Sequence, residues 1–287
     1  MLWIEAQPTA IIALVVFSLV YVLAAMLFCM AAILSRRAVA KALKSVAPVT
    51  LTPLGVILGL LIAFLAARVW TNLDRAGEYV GQEAGALRET VLLADALPPE
   101  VRTRVRQAIQ RHLHLIESEE WPAMASGRAS LQSIAVGLAE AMTEVLSFAP
   151  EQTNQRLAQE RALVAIEHAL EARRNRVLLS QAEIAPIQWI VIMVLTMLIL
   201  VTIALIHINK RLAMATSMTI FSTAIAICLI LLMVYDRPFR PGGFTVTPAV
   251  LRAVMRTEHW ASLSLRSRSP GRLIAFTPRL SEHASSV

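Results

Sequence analysis

The chain has 287 residues, 56% of them hydrophobic and 16% charged, with a mean hydropathy of +0.61. Soluble globular proteins sit near about 45–50% apolar and about 25% charged, so the composition points to a membrane protein. The net charge of +7 rests mostly on Arg, with Lys only at Lys41, Lys44 and Lys210; no basic patch interleaved with aromatics marks a nucleic-acid surface.

A bilayer crossing needs about 20 mostly apolar residues. Four segments qualify: Ala10–Leu34, Leu51–Trp70, Trp189–Ile208 and Leu212–Tyr235. The first has Glu5 ahead of it and its positive charges, Arg36, Arg37, Lys41 and Lys44, behind it. It is read as a retained helix and not a cleaved signal. Cys29 and Cys228 both lie in apolar runs, so neither belongs to a disulfide framework.

The second span carries two stripes. Gly55, Gly59, Ala63 and Ala67 recur every four residues, a pattern that lets helix backbones approach closely in lipid. Beside it runs a bulky stripe, Val56, Leu60 and Phe64. In a ring of identical helices the small stripe would pack on neighbours, and the bulky stripe would line a hydrophobic constriction. Ordinary bundle packing is the alternative. Arg68, near the end of the span, is placed to snorkel to the interface.

Residues 71–186 are strongly charged, with a net charge of about −4. They read as helical, the second span continuing to about Ala96 and helices following at 99–118, 128–147 and 151–183. Pro98-Pro99-Glu100 has the proline and acid of a helix start. Breaks are expected near Leu97–Pro99, Trp121–Gly127 and Phe148–Pro150. Leu157, Val164 and Leu170 form the apolar positions of a loosely amphipathic last helix.

Chemistry-bearing constellations are scarce. His112 and His114 precede Glu117, but helix residues two apart point to different faces, so a solvated face is expected and not a metal site. There is no P-loop, GxGxxG or HExxH motif. No enzyme activity, metal or cofactor is expected. His207 falls in the tight turn between the last two spans, beside Asn209, Lys210 and Arg211, and is read as interfacial. The fourth span carries Ala215, Thr216, Thr219, Ser222 and Thr223 on one stripe, read as helix packing. It ends on Asp236-Arg237-Pro238-Phe239, a charged pair that must sit at the interface or face protein. From Glu258 onward a Ser- and Arg-rich tail is expected to be poorly ordered.

Four stretches occur in a telling order: "LLIAFLAARVWTNLDRAGEYVGQEAGAL" (Leu60–Leu87), "EEWPAM" (Glu119–Met124), "ARRNRVLLSQAEIAPIQWIVI" (Ala172–Ile192) and "DRPFRPGGFTVTP" (Asp236–Pro248). Together they resemble the bestrophin-like domain family of bacterial membrane proteins, over about Leu51 to His259. Glu120, Trp121, Pro122, Arg173, Arg176, Asp236, Arg237, Pro238 and Phe239 are the residues that carry the resemblance. It implies two membrane helices, a soluble helical insert and two more helices. The family is distantly similar to bestrophins, pentameric anion channels whose second membrane helix forms a hydrophobic neck. Val56, Leu60 and Phe64 match that neck pattern. Asn72 and Leu73 depart from the basic and aromatic cluster that bestrophins have beyond this helix, and Gly77 stands where related sequences tend to have Arg. The acidic calcium clasp has no counterpart.

The expectation is therefore an all-α chain: a first transmembrane hairpin (1–70), a helical soluble insert (71–186), a second hairpin (187–235) and a tail (236–287). Its partners would be the lipid bilayer of a bacterial inner membrane and further copies of itself, a pentamer by the resemblance. Two functions fit: an oligomeric anion channel, or a non-transporting scaffold or sensor whose insert binds a partner or ligand. The positive-inside rule puts Arg36–Lys44 and Lys210–Arg211 in the cytoplasm, whereas the resemblance puts the insert there. Arg173, Arg174, Arg176, Arg237 and Arg240 flank the membrane on that second side, so orientation stays open.

Overall fold

The computed structural model describes residues 9–34, 47–131, 135–240 and 246–254, and all regular structure among them is helical. Eight helices follow in order: α1 (Thr9–Leu34), α2 (Ala47–Ala94), α3 (Pro99–Leu115), α4 (Trp121–Ala125), α5 (Val136–Ser147), α6 (Thr153–Ser180), α7 (Pro186–Ile206) and α8 (Arg211–Tyr235). A π-helical turn, Ile116–Glu120, joins α3 to α4, and 249–254 form one further short helix. Helices α1, α2, α7 and α8 are each long and apolar enough to cross a membrane. The tail from Glu258 and the basic stretch Arg36–Lys44 lie outside the described residues.

Two apolar clusters organise the chain. The first joins α1, the first half of α2, α7 and α8 through residues such as Val20, Leu65, Ile192, Met214 and Leu232. The second joins the rest of α2 to α3, α5 and α6 around Leu87, Ile109, Leu138 and Ile166. One helix serves both because α2 has 48 residues, a rod of about 72 Å.

The seam between α2 and α6 follows a coiled-coil spacing. Ala76, Val80, Glu83, Leu87, Thr90 and Ala94 are buried on α2 at alternating steps of four and three. Ala158, Ala162, Ala165, Ala169, Ala172 and Arg176 are buried on α6 at the same steps. That spacing keeps one narrow seam facing the partner helix. Alanine supplies little bulk, so the axes close up. This corrects the expected apolar face of α6 in part: Leu157 and Val164 are exposed, Leu170 packs against the second cluster, and the alanines face inward. Close helix contact selects small residues, so bulk does not mark the buried side here.

Two expected boundaries also move. Trp121–Gly127 is no break through most of its length, because the helical path runs from α3 through the π turn into α4. The chain turns at Gly127, which has φ +68°. Gly127 N–H donates to Met124 O and Arg128 N–H to Ala123 O, a Schellman cap that the left-handed glycine permits. The next helix therefore starts at Val136 and not at 128. Gly137 then lets α5 press onto α3, since a Cβ there would lie 2.6 Å from Ala108 O and 2.7 Å from His112 Cβ.

Candidate functional site: a buried charge cluster

Five ionisable side chains from four elements meet inside the second cluster. Glu83 comes from the buried seam of α2, thirteen residues past Trp70 and so outside the apolar stretch. His112 comes from α3, Glu120 from the end of the π turn, and Arg173 and Arg176 from α6. Arg176 binds Glu83 in bidentate fashion, Nε donating to Oε2 at 2.7 Å and Nη2 to Oε1 at 3.1 Å. The same Nη2 donates to Glu120 Oε1 at 2.5 Å. Arg173 donates through Nε and Nη2 to the other oxygen, Glu120 Oε2, at 2.7 and 2.6 Å. His112 Nε2 lies 3.3 Å from Glu83 Oε1.

Two carboxylates thus balance two guanidiniums, with no solvent at Glu83 or Arg176. Burial alone would raise the Glu83 carboxyl, but the Arg176 guanidinium and hydrogen bonds from His112 and Arg176 hold it below its ordinary value. Burial likewise works against the Arg176 charge, and Glu83 and Glu120 more than reverse it, so its pKa is raised. The pair stays ionised, with charge-assisted hydrogen bonds on several donors.

Local sequence explains the aim of each group. The π turn inserts an extra residue into the helix, a device that redirects side chains, and brings Glu120 to the arginines. Pro122 follows directly after the π turn, in the first turn of α4. Trp121 lies with its ring 5.7 Å from the Arg176 guanidinium, and Met124 Sδ is 3.2 Å from Arg176 Nη1.

The motif after α8 ties this cluster to the spans. Phe239 packs edge-on against Trp121, ring centroids 5.5 Å apart. Asp236 accepts the Ile184 N–H at 3.0 and 3.3 Å, holding the connection from α6 to α7. Arg237 Nη2 donates to Glu183 Oε2 at 2.5 Å. Pro238 O accepts from Val246 N–H at 2.9 Å.

The motif residues singled out in the sequence, except Pro122 and Pro238, therefore hold the cluster or its tie to α8. Glu83 and His112 were missed as members. Glu83 was legible as the lone acid on the four-three seam of α2. His112 had no such sign, but it is buried while His114 is exposed, as two faces require. The neck residues Val56, Leu60 and Phe64 lie elsewhere, exposed on α2, as do Gly55, Gly59, Ala63 and Ala67. His207 caps α7, with Nδ1 3.1 Å from Ile203 O. In α8, Thr216 and Thr223 bond back to Leu212 O and Thr219 O, and Tyr21 reaches Thr223 at 2.7 Å. No group of three His, Cys, Asp or Glu among the described residues could hold a metal ion. A cavity of about 350 Å³ opens beside the cluster, lined in part by His112, Glu120, Arg128 and Arg173.

Residues 17–251 match the family model of the Bestrophin-like domain. The chain belongs to the bestrophin-like family. No curated protein and no solved structure gives a match. The bestrophin-like domain here runs from α1 through the short helix at 249–254, so it holds every member of the charge cluster and its tie to α8.

Proposed function

We propose that this bestrophin-like protein is a homo-oligomeric anion channel of the bacterial inner membrane, with α2 as the pore wall. Two spans precede and two follow a helical insert, 71–186, that stands outside the bilayer. Val56, Leu60 and Phe64 form the hydrophobic neck, and the glycine-alanine stripe packs on neighbouring copies.

The observation that carries this reading is the bare outward face of α2. Only 11% of its apolar window is buried within the chain, against 28%, 44% and 33% for α1, α7 and α8. The face continues past the membrane: Gly77, Gly81 and Gly85 repeat the four-residue step, and a Cβ at Gly55, Gly59 or any of these three would meet nothing. Gly77 is eighteen residues from Gly59, five helical turns, so both lie on one side of the rod. Each glycine costs a helix about 1 kcal/mol relative to alanine. Five of them facing empty space within one chain fit a face reserved for close contact with another copy. The particle mass of the protein in native nanodiscs tests this. A ring of copies is expected, and a monomer there would refute the reading.

The second reading, a sensor, is favoured by the cavity against the charge cluster. A ligand there would touch Glu120 and Arg173, which connect through Trp121 and Phe239 to the end of α8.

A further inference from the structure

The cavity beside the charge cluster carries an uncommitted charge of each sign. One wall is the end of α3 with the π turn, which contributes Leu115, Ile116 and Glu119. The other is the chain beyond α4. Gly127 turns that chain back, Arg128 N–H donates to Ala123 O, and Arg128 and Val136 line the cavity from this side.

The carboxylates and guanidiniums that line the space are Glu119, Glu120, Arg128 and Arg173. Glu120 is taken up by Arg173 and Arg176 within the cluster. Glu119 is its neighbour in the π turn, but consecutive helical side chains point to different faces, so one serves the cluster and the next serves the cavity. Glu119 and Arg128 are both exposed, and neither forms an ion pair with the other or with any group among the described residues. The Arg128 guanidinium uses only Nε, which donates to Ser126 Oγ at 3.1 Å, so both Nη groups are available.

These charges select the guest. A cavity of about 350 Å³ is at the small end of the range for ligand pockets, about 300–1,000 Å³, which suits a molecule of amino-acid size and not a nucleotide. The Glu119 carboxylate disfavours a phosphate or other dianion beside Arg128, and Arg128 disfavours a bare cation beside Glu119. A zwitterion satisfies both at once. Leu115, Ile116 and Val136 supply apolar surface for the rest of it.

Resting on the sensor reading, which puts a ligand in this cavity, we infer that it binds a free α-amino acid with an apolar side chain. Arg128 takes the carboxylate through its Nη groups, in the paired N–H···O geometry that a guanidinium offers. Glu119 takes the ammonium, and the side chain lies against Leu115, Ile116 and Val136. Glu120 shares the cavity wall, so occupancy tightens the contact of Trp121 with Phe239.

Calorimetric titration of the full chain in nanodiscs tests this with three probes: L-leucine, isocaproate, which lacks the ammonium, and isoamylamine, which lacks the carboxylate. Leucine is expected to bind about tenfold or more tighter than either analogue. Glu119→Gln should bring leucine down to the level of isocaproate, and Arg128→Gln down to that of isoamylamine. Both side chains are exposed, and the analogue comparison on the wild type stands even where a variant does not fold. Leucine that fails to saturate at millimolar concentration, or that binds undiminished to both variants, would overturn the site. Isocaproate that binds as tightly as leucine and slows hydrogen exchange across Glu120–Ala125 would overturn the amino acid and leave the sensor reading with a carboxylate ligand. Leucine that binds as described without slowing that exchange would uphold the site and contradict the sensor reading.

Discussion

Arg176 and Glu83 are ninety-three residues apart in the chain, yet they form a two-bond ion pair that excludes solvent. The pair sits in the narrow seam between α2 and α6, where every neighbouring step is an alanine, valine, leucine or threonine. Removing one partner of such a pair strands the other charge; removing both takes out the two buried charges together and leaves Glu120 to Arg173.

Glu83→Gln should therefore destabilise the fold by about 3–5 kcal/mol, because the Arg176 guanidinium remains in place without its buried carboxylate. The double variant Glu83→Leu with Arg176→Met should be closer to the wild type than Glu83→Gln is. Thermal unfolding of the three proteins in one lipid environment checks this ordering. A double variant worse than the single one would mean that Glu120 and Arg173 need Arg176 more than Glu83 does.

The pH dependence has a definite sign. The Glu83 carboxyl titrates lower in the folded state than its ordinary value. Unfolded glutamate titrates near about 4.3, so this group's stabilisation is fully present above that value and is lost as pH falls through the lower, folded one. Between pH 8 and pH 5 the Glu83 contribution should be flat, with its loss confined to more acid conditions. Melting temperature against pH would show it, as a steep acid limb in the wild type that flattens in Glu83→Gln.

Gly137 and Gly81 should respond oppositely to alanine. At Gly137 the new methyl would run into Ala108 O and His112, which are backbone and near-backbone atoms that cannot step aside. A loss of about 1–3 kcal/mol is expected, with His112 pushed from Glu83. At Gly81 the chain itself offers no obstacle. Alanine there should favour the helix within one protomer while weakening assembly. Melting in denaturing detergent, where copies separate, and particle mass in nanodiscs would distinguish the two effects.

Much of this architecture was legible in the residues. The four spans follow from apolar length, and their ends from Trp70, Pro186 and Asp236. The motif residues announced themselves by order, though not by contact. What stayed hidden has three causes. The alanines of α6 carry little hydropathy contrast, so Leu157 and Val164 drew attention to the wrong face. Glu83 sat unremarked because a charged residue suggests solvent until its partner on a distant helix is known. The π turn at Ile116–Glu120 left no mark in composition, and it is what brings Glu120 to the arginines.

Asp236 should matter for the joint between the two clusters more than for either alone. Asp236→Ala removes the acceptor for the Ile184 N–H, and a buried amide without a partner costs about 1–3 kcal/mol. Phe239→Ala should loosen Trp121 over Arg176. Hydrogen exchange would place the effect: faster exchange at 181–186 in the first variant and across Glu120–Ala125 in the second.

The most direct measurement is chloride flux from liposomes containing the purified protein, wild type against Val56→Ala with Leu60→Ala and Phe64→Ala. With folding and oligomeric state matched, the triple variant should conduct several-fold faster, because shaving the bulky stripe lets water and ions into the constriction. No flux from either protein, both folded and assembled, would contradict the channel and leave α2 as the spine of a scaffold or sensor.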